Sequence, residues 1–157
     1  MNRVGLGFDS HVFAEGRPLV LGGLTIPNAK GLAGHSDADV IAHAVADALL
    51  GAAGLGDLGD SFPATERWKD ANSIAILREC ATIVRASGWS VINVDATVIA
   101  ETPKLAPFRA DMARNLAGAL DISPDSVSIK ATTTDGMGAL GREEGIGAVA
   151  VVLLDRP

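Results

Sequence analysis

Extended and helical segments follow one another along this chain in an order that leaves few folds open. Apolar residues recur every three or four positions after Ser36, which predicts a helix ending near Gly54–Gly56. Further helices are predicted over 72–87 and from Pro103 to about Leu120. Strands are predicted over 4–8, 19–26, 91–100, 126–132 and 148–154, with a Gly-rich loop over 135–147. The order predicts an α+β fold in one domain over 1–157: a mixed four-stranded sheet with helices packed on one face, a ferredoxin-like sandwich.

The final predicted strand, 148–154, is apolar at every position. The helices can cover only one face of this strand, because successive side chains of a strand point to opposite faces. A second copy of the chain would cover the other face, so the strand predicts an oligomer.

Composition argues against two classes of partner. The net charge is −6, aromatic residues make up 4% and tyrosine is absent, whereas nucleic-acid binding needs a basic surface and stacking aromatics. The longest apolar run, Ile146–Leu154, is too short to cross a bilayer. A single cysteine, Cys80, lies in a predicted helix interior and suits a packed residue in a reducing compartment. We therefore expect a cytoplasmic protein that binds neither nucleic acid nor membrane.

The three histidines all lie within the first 43 residues. Asp9 and His11 are two apart at a predicted strand end, so their side chains project to the same side. His43 lies about two turns into the first predicted helix. Asp39 and Asp47, four residues on either side, would offer its second ring nitrogen an acceptor. Two imidazoles and one carboxylate form a zinc site with an open position, although spacing leaves open whether His35 or His43 is the third ligand.

His35 and Ser36 precede the first predicted helix, and Ser36 with Asp39 resembles a capping box. The first helical amides would favour an anion, so a phosphate near this pair is one interpretation. The other interpretation is that Ser36 simply caps the helix.

Hydroxyl groups and one carboxylate end the predicted strand 126–132, in the segment 130–136. Such a group can donate to phosphate oxygens and hold a hard cation such as Mg²⁺. Arg142 could also donate to phosphate oxygens, or it could form a surface ion pair. The chain has neither a P-loop nor a strand-linked G-x-G-x-x-G motif, which disfavours ATP-driven transfer and NAD chemistry.

The motifs taken together resemble those of the 2-C-methyl-D-erythritol 2,4-cyclodiphosphate synthases of the non-mevalonate isoprenoid pathway. The resemblance runs from about residue 3 to the last strand. Its motifs are Gly5-Leu6-Gly7-Phe8-Asp9-Ser10-His11, Gly34-His35-Ser36-Asp37-Ala38-Asp39, Asp47-Ala48-Leu49-Leu50-Gly51, Gly56-Asp57-Leu58-Gly59, Phe62-Pro63-Ala64-Thr65, Lys130-Ala131-Thr132-Thr133-Thr134 and Gly141-Arg142-x-Glu144-Gly145, in which x is any residue.

This resemblance implies a homotrimer with active sites between subunits. It implies a zinc ion, or another divalent cation, on Asp9, His11 and His43, with His35 and Thr133 as catalytic residues that orient phosphates and stabilise the transition state. It implies a methylerythritol subsite over 57–59 and 62–66, a cytidine subsite over 100–106 and diphosphate contacts over 132–135. The full implied substrate-binding set is Asp9, His11, His35, Ser36, Asp57, Leu58, Gly59, Phe62, Pro63, Ala64, Thr65, Glu66, Ala100, Glu101, Thr102, Pro103, Lys104, Leu105, Ala106, Thr132, Thr133, Thr134, Asp135, Ala139 and Arg142.

The implied reaction is intramolecular. The 2-phosphate of 4-diphosphocytidyl-2-C-methyl-D-erythritol 2-phosphate attacks the β-phosphorus and expels CMP, so no protein nucleophile is needed. Mg²⁺ or Mn²⁺ would accompany the diphosphate through Asp135, which stands where the family commonly has glutamate. Ala139 replaces an aromatic residue near the threefold channel, and Glu143 replaces a glycine.

Two other functions compete with this interpretation. In a zinc phosphodiesterase, water would attack and release a linear phosphate. A non-catalytic trimer would bind isoprenoid diphosphates without releasing CMP.

Overall fold

The computed structural model describes all 157 residues, Met1–Pro157. Its strands are β1 (Asn2–Ala14), β2 (Leu19–Leu21), β3 (Leu24–Ile26), β4 (Gly31–Leu32), β5 (Ser90–Ile99), β6 (Val127–Thr132) and β7 (Gly145–Asp155). Its helices are α1 (Val40–Ala53), α2 (Leu58–Ser61), α3 (Ser73–Ala86), α4 (Arg109–Leu120) and α5 (Gly138–Gly141). Short 3₁₀ turns lie at Glu66–Trp68, Ala106–Phe108 and Pro124–Ser126.

The main sheet has five strands in the order β4-β1-β7-β5-β6. The prediction of a mixed sheet is confirmed, because β5 and β6 are parallel while the other neighbours are antiparallel. The predicted number of four was wrong, because the two-residue β4 pairs with the end of β1. The segment predicted as one strand over 19–26 is instead the separate hairpin β2–β3, which turns at Gly22 and Gly23 with positive φ at both.

One face of the sheet forms the core with the helices. Five residues of β7 on this face (Ile146, Ala148, Ala150, Val152 and Leu154) are fully buried. They continue in register onto buried positions of β5 and β6, while α1 packs on β1 and β7. On the opposite face Val4, Leu6 and Phe8 are each more than half exposed. The sheet therefore has one covered and one largely uncovered apolar surface.

Several predicted boundaries were wrong. β1 is longer than the predicted 4–8, because it pairs with β7 from Asn2 to Val12 although glycine and polar residues interrupt its apolar pattern. The helix predicted from Pro103 begins at Arg109, after a 3₁₀ turn in which Leu105 accepts from the Phe108 amide. β7 begins at Gly145, three residues early, because this glycine lets the chain pass against the His11 carbonyl. Helix α3 matches its prediction closely.

None of the helices combines the length and the apolar character that crossing a membrane requires.

Candidate metal centre and substrate pockets

The carboxylate of Asp9 lies between the rings of His11 and His43. Its Oδ2 atom is 3.1 Å from Nε2 of His11 and 3.1 Å from Nδ1 of His43. These three ligand atoms all lie within 4.8 Å of one another. Tetrahedral zinc with bonds of about 2.0–2.1 Å places its ligand atoms roughly 3.3 Å apart. The three side chains therefore fit one divalent cation, and of the two histidines left open by spacing, His43 joins the cluster.

Two glycines on β1 bring His43 within reach of Asp9. Gly5, Gly7, Asp9 and His11 share one face of the strand, the face that α1 covers. A Cβ atom on Gly7 would overlap the carbonyl oxygen of Ala44, and one on Gly5 would overlap that of Ala48. Strand and helix backbones therefore touch directly. Asp9 and His11 lie in the middle of β1, opposite Ala148 and Ile146, so the prediction that they end a strand was wrong.

The pKa values of Asp9 and His11 shift in opposite directions because the two groups face each other. Burial alone would raise the pKa of Asp9, but the adjacent imidazoles of His11 and His43 lower it to about 2. The hydrogen bond to Asp9 raises the pKa of His11 above its ordinary value. Asp9 is consequently a carboxylate at any physiological pH, as a metal ligand must be.

The acceptor behind His43 differs from the prediction. Its Nε2 atom lies 2.8 Å from Oγ of Ser73 and 3.1 Å from Oγ of Ser36. Asp39 and Asp47 do not contact the ring: Asp47 accepts from the amide of Leu58 and so holds the start of α2. His43 is also only one turn into α1, not two, since its amide donates to the Asp39 carbonyl.

The helix cap at α1 is Asp39 rather than Ser36. The Asp39 carboxylate is fully buried and accepts from the amides of Ile41 and Ala42 at the helix start. It also accepts from the amides of Gly22 and Gly23 in the β2–β3 turn. This carboxylate occupies the helix N-terminus, so the argument that the helix amides favour a phosphate beside His35 and Ser36 was wrong. Ser36 itself is buried and faces His43.

An apolar pocket of about 150 Å³ opens beside the metal cluster. Histidines 11, 35 and 43 lie on one side, and the exposed His35 donates from Nε2 to the Thr65 carbonyl at 2.6 Å. The other side comes from the segment 58–68 and α3, namely Leu58, Phe62, Ala64, Trp68 and Ile76. A neighbouring cleft joins Asp57, Leu58 and Gly59 to Asp9 and His43. Five of the eight residues expected to hold the methylerythritol phosphate, over 57–59 and 62–66, thus line these two pockets; Pro63, Thr65 and Glu66 line neither.

A second cleft lies at the other edge of the sheet. Every residue of the segment 100–106 except Thr102 lines it, together with Ala131, Thr132 and Thr133. Glu101 turns its carboxylate towards Thr134, accepting from its amide at 2.8 Å and its hydroxyl at 3.1 Å. The hydrogen bond from the Thr134 backbone amide lowers the pKa of Glu101 below its ordinary value. Glu101 therefore ties the expected cytidine segment to the expected diphosphate segment.

Thr133 and Asp135 form a closed turn at the end of β6. The Thr133 hydroxyl donates to Oδ1 of Asp135 at 3.2 Å, and the Asp135 amide donates back to that hydroxyl. Asp135 is exposed, with φ of 53°.

The cleft beside Asp9 and His43 and the cleft beside Thr133 are far apart within one chain. Asp9 is paired with Ala148, Ala148 with Val98, and Val98 with Ala131, so the metal ligand and the start of the threonine run lie on one row of the sheet. Three strand spacings separate them, roughly 14 Å. The two cavities beside the metal cluster do not include Thr133, and the cleft that includes Thr133 contains none of Asp9, His11 and His43.

The remaining expected positions lie near α5. Ala139 is exposed within the helix. Arg142 follows it and pairs with Glu144 at 3.3 Å, which is the surface ion pair that the sequence left as an alternative. Glu143 adopts a left-handed φ of 59°, a conformation that favours the glycine expected there.

Sequence reasoning missed Asp37, Ser73, Trp68 and Arg17. Ser73 contacts His43, and Asp37 accepts from the Ser73 amide at 3.0 Å. Trp68 lines the apolar pocket, and Arg17 donates to the carbonyls of Gly34 and Ser36 on either side of His35. Asp37 belongs to the motif over 34–39 and could have been found there, whereas no local sequence pattern marks Ser73 or Arg17.

Comparison with known proteins points to one group. The model of the YgbB family matches residues 2–155. The 2-C-methyl-D-erythritol 2,4-cyclodiphosphate synthase of Syntrophomonas wolfei is 55% identical over 155 residues, which cover 98% of this chain and 99% of the relative. The bifunctional IspDF of Campylobacter jejuni has a TM-score of 0.96 at 44% identity, covering 100% of this chain and 43% of that protein. IspF of Plasmodium falciparum in complex with CDP has a TM-score of 0.87 at 33% identity; the match covers 99% of this chain and 96% of that protein.

Proposed function

This chain belongs to the YgbB family, and we propose that it closes a cyclic diphosphate at a metal centre formed by Asp9, His11 and His43. Its activity is that of 2-C-methyl-D-erythritol 2,4-cyclodiphosphate synthase, a phosphorus–oxygen lyase of the non-mevalonate isoprenoid pathway. The convergence of three ligand atoms from β1 and α1 carries the proposal for the site. The whole chain, residues 1–157, acts as one catalytic domain.

The reaction converts 4-diphosphocytidyl-2-C-methyl-D-erythritol 2-phosphate to 2-C-methyl-D-erythritol 2,4-cyclodiphosphate and CMP. The 2-phosphate of the substrate forms the new phosphorus–oxygen bond, and the bond to CMP breaks. The protein supplies no nucleophile; it folds a flexible polyanion into attack geometry. Positioning of this kind reaches effective molarities of about 10⁵ M or more.

The cation at Asp9, His11 and His43 is zinc in this proposal, because two imidazoles and a carboxylate suit that ion. When bound, it would neutralise phosphate charge and polarise a phosphoryl oxygen. A second cation, Mg²⁺ or Mn²⁺, would accompany the diphosphate through Asp135.

Side chains on both clefts hold the substrate. Thr133 donates its hydroxyl to the charge that develops on the diphosphate, and His35 orients phosphate oxygens from the rim of the apolar pocket. Residues 57–59 and 62–66 hold the methylerythritol phosphate, and residues 100–106 hold the cytidine. Ser36 acts on the metal side of the site, and Arg142 and Ala139 lie at its periphery.

The separation of the two clefts supports a site shared between subunits. A diphosphate held at the metal centre cannot also reach Thr133 of the same chain across roughly 14 Å of sheet. The exposed apolar face with Val4, Leu6 and Phe8 would pack against another copy, which burial of apolar area favours. We propose a homotrimer in which the metal centre of one chain meets the threonine turn of the next.

Product analysis tests the proposal. The protein is incubated with the cytidine substrate, Zn²⁺ and Mg²⁺, and CMP release is followed together with the phosphorus NMR spectrum of the product. We expect one CMP per cyclic diphosphate and no release after chelation. A linear phosphate product would overturn the cyclase and favour the phosphodiesterase.

The ligand set is tested with His43→Ala. This variant should lose both zinc and turnover while light scattering still reports a trimer. Gly51→Ala, at the exposed end of the same helix, is the matched control and should keep both. Zinc retained at full activity in His43→Ala would show that the ligand assignment is wrong.

A further inference from the structure

Ser73 connects the ring of His43 to a carboxylate that no part of the proposed reaction uses. Its Oγ atom lies 2.8 Å from Nε2 of His43 and donates its own proton to Oδ1 of Asp37. The backbone amide of Ser73 donates to the other oxygen of the same carboxylate at 3.0 Å. Ser73 is the first residue of α3 and is 1% exposed. A hydrogen-bonded relay therefore runs from His43 through the buried Ser73 to Asp37.

Counting protons gives the relay one direction. An ionised carboxylate only accepts hydrogen bonds, and a hydroxyl has a single proton. Because that proton points from Ser73 to Asp37, the Ser73 oxygen presents a lone pair to His43. The Nε2 atom of His43 must then carry a proton and donate it, which leaves the lone pair of the neutral ring on Nδ1. Nδ1 is the atom that faces Asp9 at 3.1 Å.

We infer that Ser73, backed by Asp37, is a positioning residue that fixes the tautomer and the orientation of His43 for metal binding. The inference rests on the metal centre proposed above. Metal-binding histidines commonly donate their second N–H to such a partner, and loss of that partner typically weakens metal affinity or activity 10–100-fold.

Ser36 is the nearest competitor for this role. Its Oγ atom is 3.1 Å from the same Nε2 and accepts from the Ala38 amide at 3.3 Å. Ser36 donates to no carboxylate, and the only other side chain that its hydroxyl meets is Oγ of Ser73, at the longer distance of 3.5 Å. Ser73 has both the shorter contact and the carboxylate behind it, which is why the role is assigned to Ser73.

A purely structural role for Ser73 would lie in starting α3. Asn72, its neighbour, is the cap of that helix, and its side chain accepts from the amides of Ile74 and Ala75. Asn72→Ala therefore weakens the same helix start without touching His43. This variant separates an effect on the helix from an effect on the ring.

The experiment measures zinc affinity by competition with a chromophoric chelator for the wild type, Ser73→Ala, Asn72→Ala and His43→Ala. We expect Ser73→Ala to bind zinc 10–100-fold more weakly, whereas Asn72→Ala stays within about twofold of the wild type. Nitrogen NMR of the zinc-loaded protein gives a second readout: the Nε2 proton of His43 should be observed in the wild type and Asn72→Ala and lost to exchange in Ser73→Ala.

Three outcomes are decisive. Equal zinc affinity of Ser73→Ala and the wild type would overturn the inference while leaving the metal centre in place. Equal weakening by Asn72→Ala and Ser73→Ala would also overturn it, because the helix start would then explain the loss. If the wild type bound zinc no better than His43→Ala, the proposed metal centre itself would fail.

Discussion

Replacing Gly7 with alanine would place a methyl group in space that α1 occupies. The new Cβ atom would lie 2.8 Å from the Ala48 nitrogen and 3.0 Å from the carbonyl carbon of Ala44, besides overlapping the oxygen of that carbonyl. Optimal carbon–carbon contacts are about 3.5 Å or longer, so α1 must retreat by at least about 0.5 Å. His43 is the residue before Ala44 and moves with it.

A shift of this size should damage both stability and metal binding. Overpacking of a core contact lowers the free energy of unfolding by about 1–3 kcal/mol. A functional site tolerates displacements of only about 0.5 Å, so zinc affinity should fall by roughly tenfold or more. Urea denaturation followed by tryptophan fluorescence measures the first quantity, and chelator competition measures the second.

Gly51→Ala supplies the matched control on the same helix. A Cβ atom at Gly51 meets no atom within 4 Å, and alanine favours a helix over glycine by up to about 1 kcal/mol. This variant should be as stable as the wild type or more so, with unchanged zinc affinity. Wild-type stability and zinc binding in Gly7→Ala would refute the claim that the glycine admits the helix.

Three further predictions concern other parts of the chain. Glu143→Gly should raise the free energy of unfolding by about 1 kcal/mol in urea denaturation, because the left-handed φ of 59° strains any residue with a Cβ; equal or lower stability would contradict this. Thr133→Ala should slow CMP release by about 10²-fold with unchanged zinc content by metal analysis, and wild-type turnover would remove its role. Cys80 is fully buried and burial raises its pKa to about 12, so iodoacetamide should label it only after denaturation; rapid labelling of the native protein would show an accessible thiolate.

Sequence patterns predicted helix boundaries correctly where residues close together in the sequence determine the structure. Helix α3 lies within the predicted range, with Asn72 capping it and Gly88 following in a left-handed conformation. The end of α1 at Gly54 was also predicted correctly, because a C-terminal glycine is a local signal. The start of α1 was misplaced, since two of the four amides bound by Asp39 belong to the distant β2–β3 turn.

The chain by itself determined the chemistry available: Asp9 and three imidazoles near the amino terminus, and a run of hydroxyls near the carboxy terminus. It also determined that Asp9 and His11 share a side, because alternation is a property of any strand. Spacing did not choose between His35 and His43, although the family resemblance implied His43; the tertiary structure places His43 in the cluster and Ser73 behind it. Those contacts join residues 34 and 30 positions apart. They depend on how closely α1 packs on β1 and where α3 begins, which no local spacing encodes.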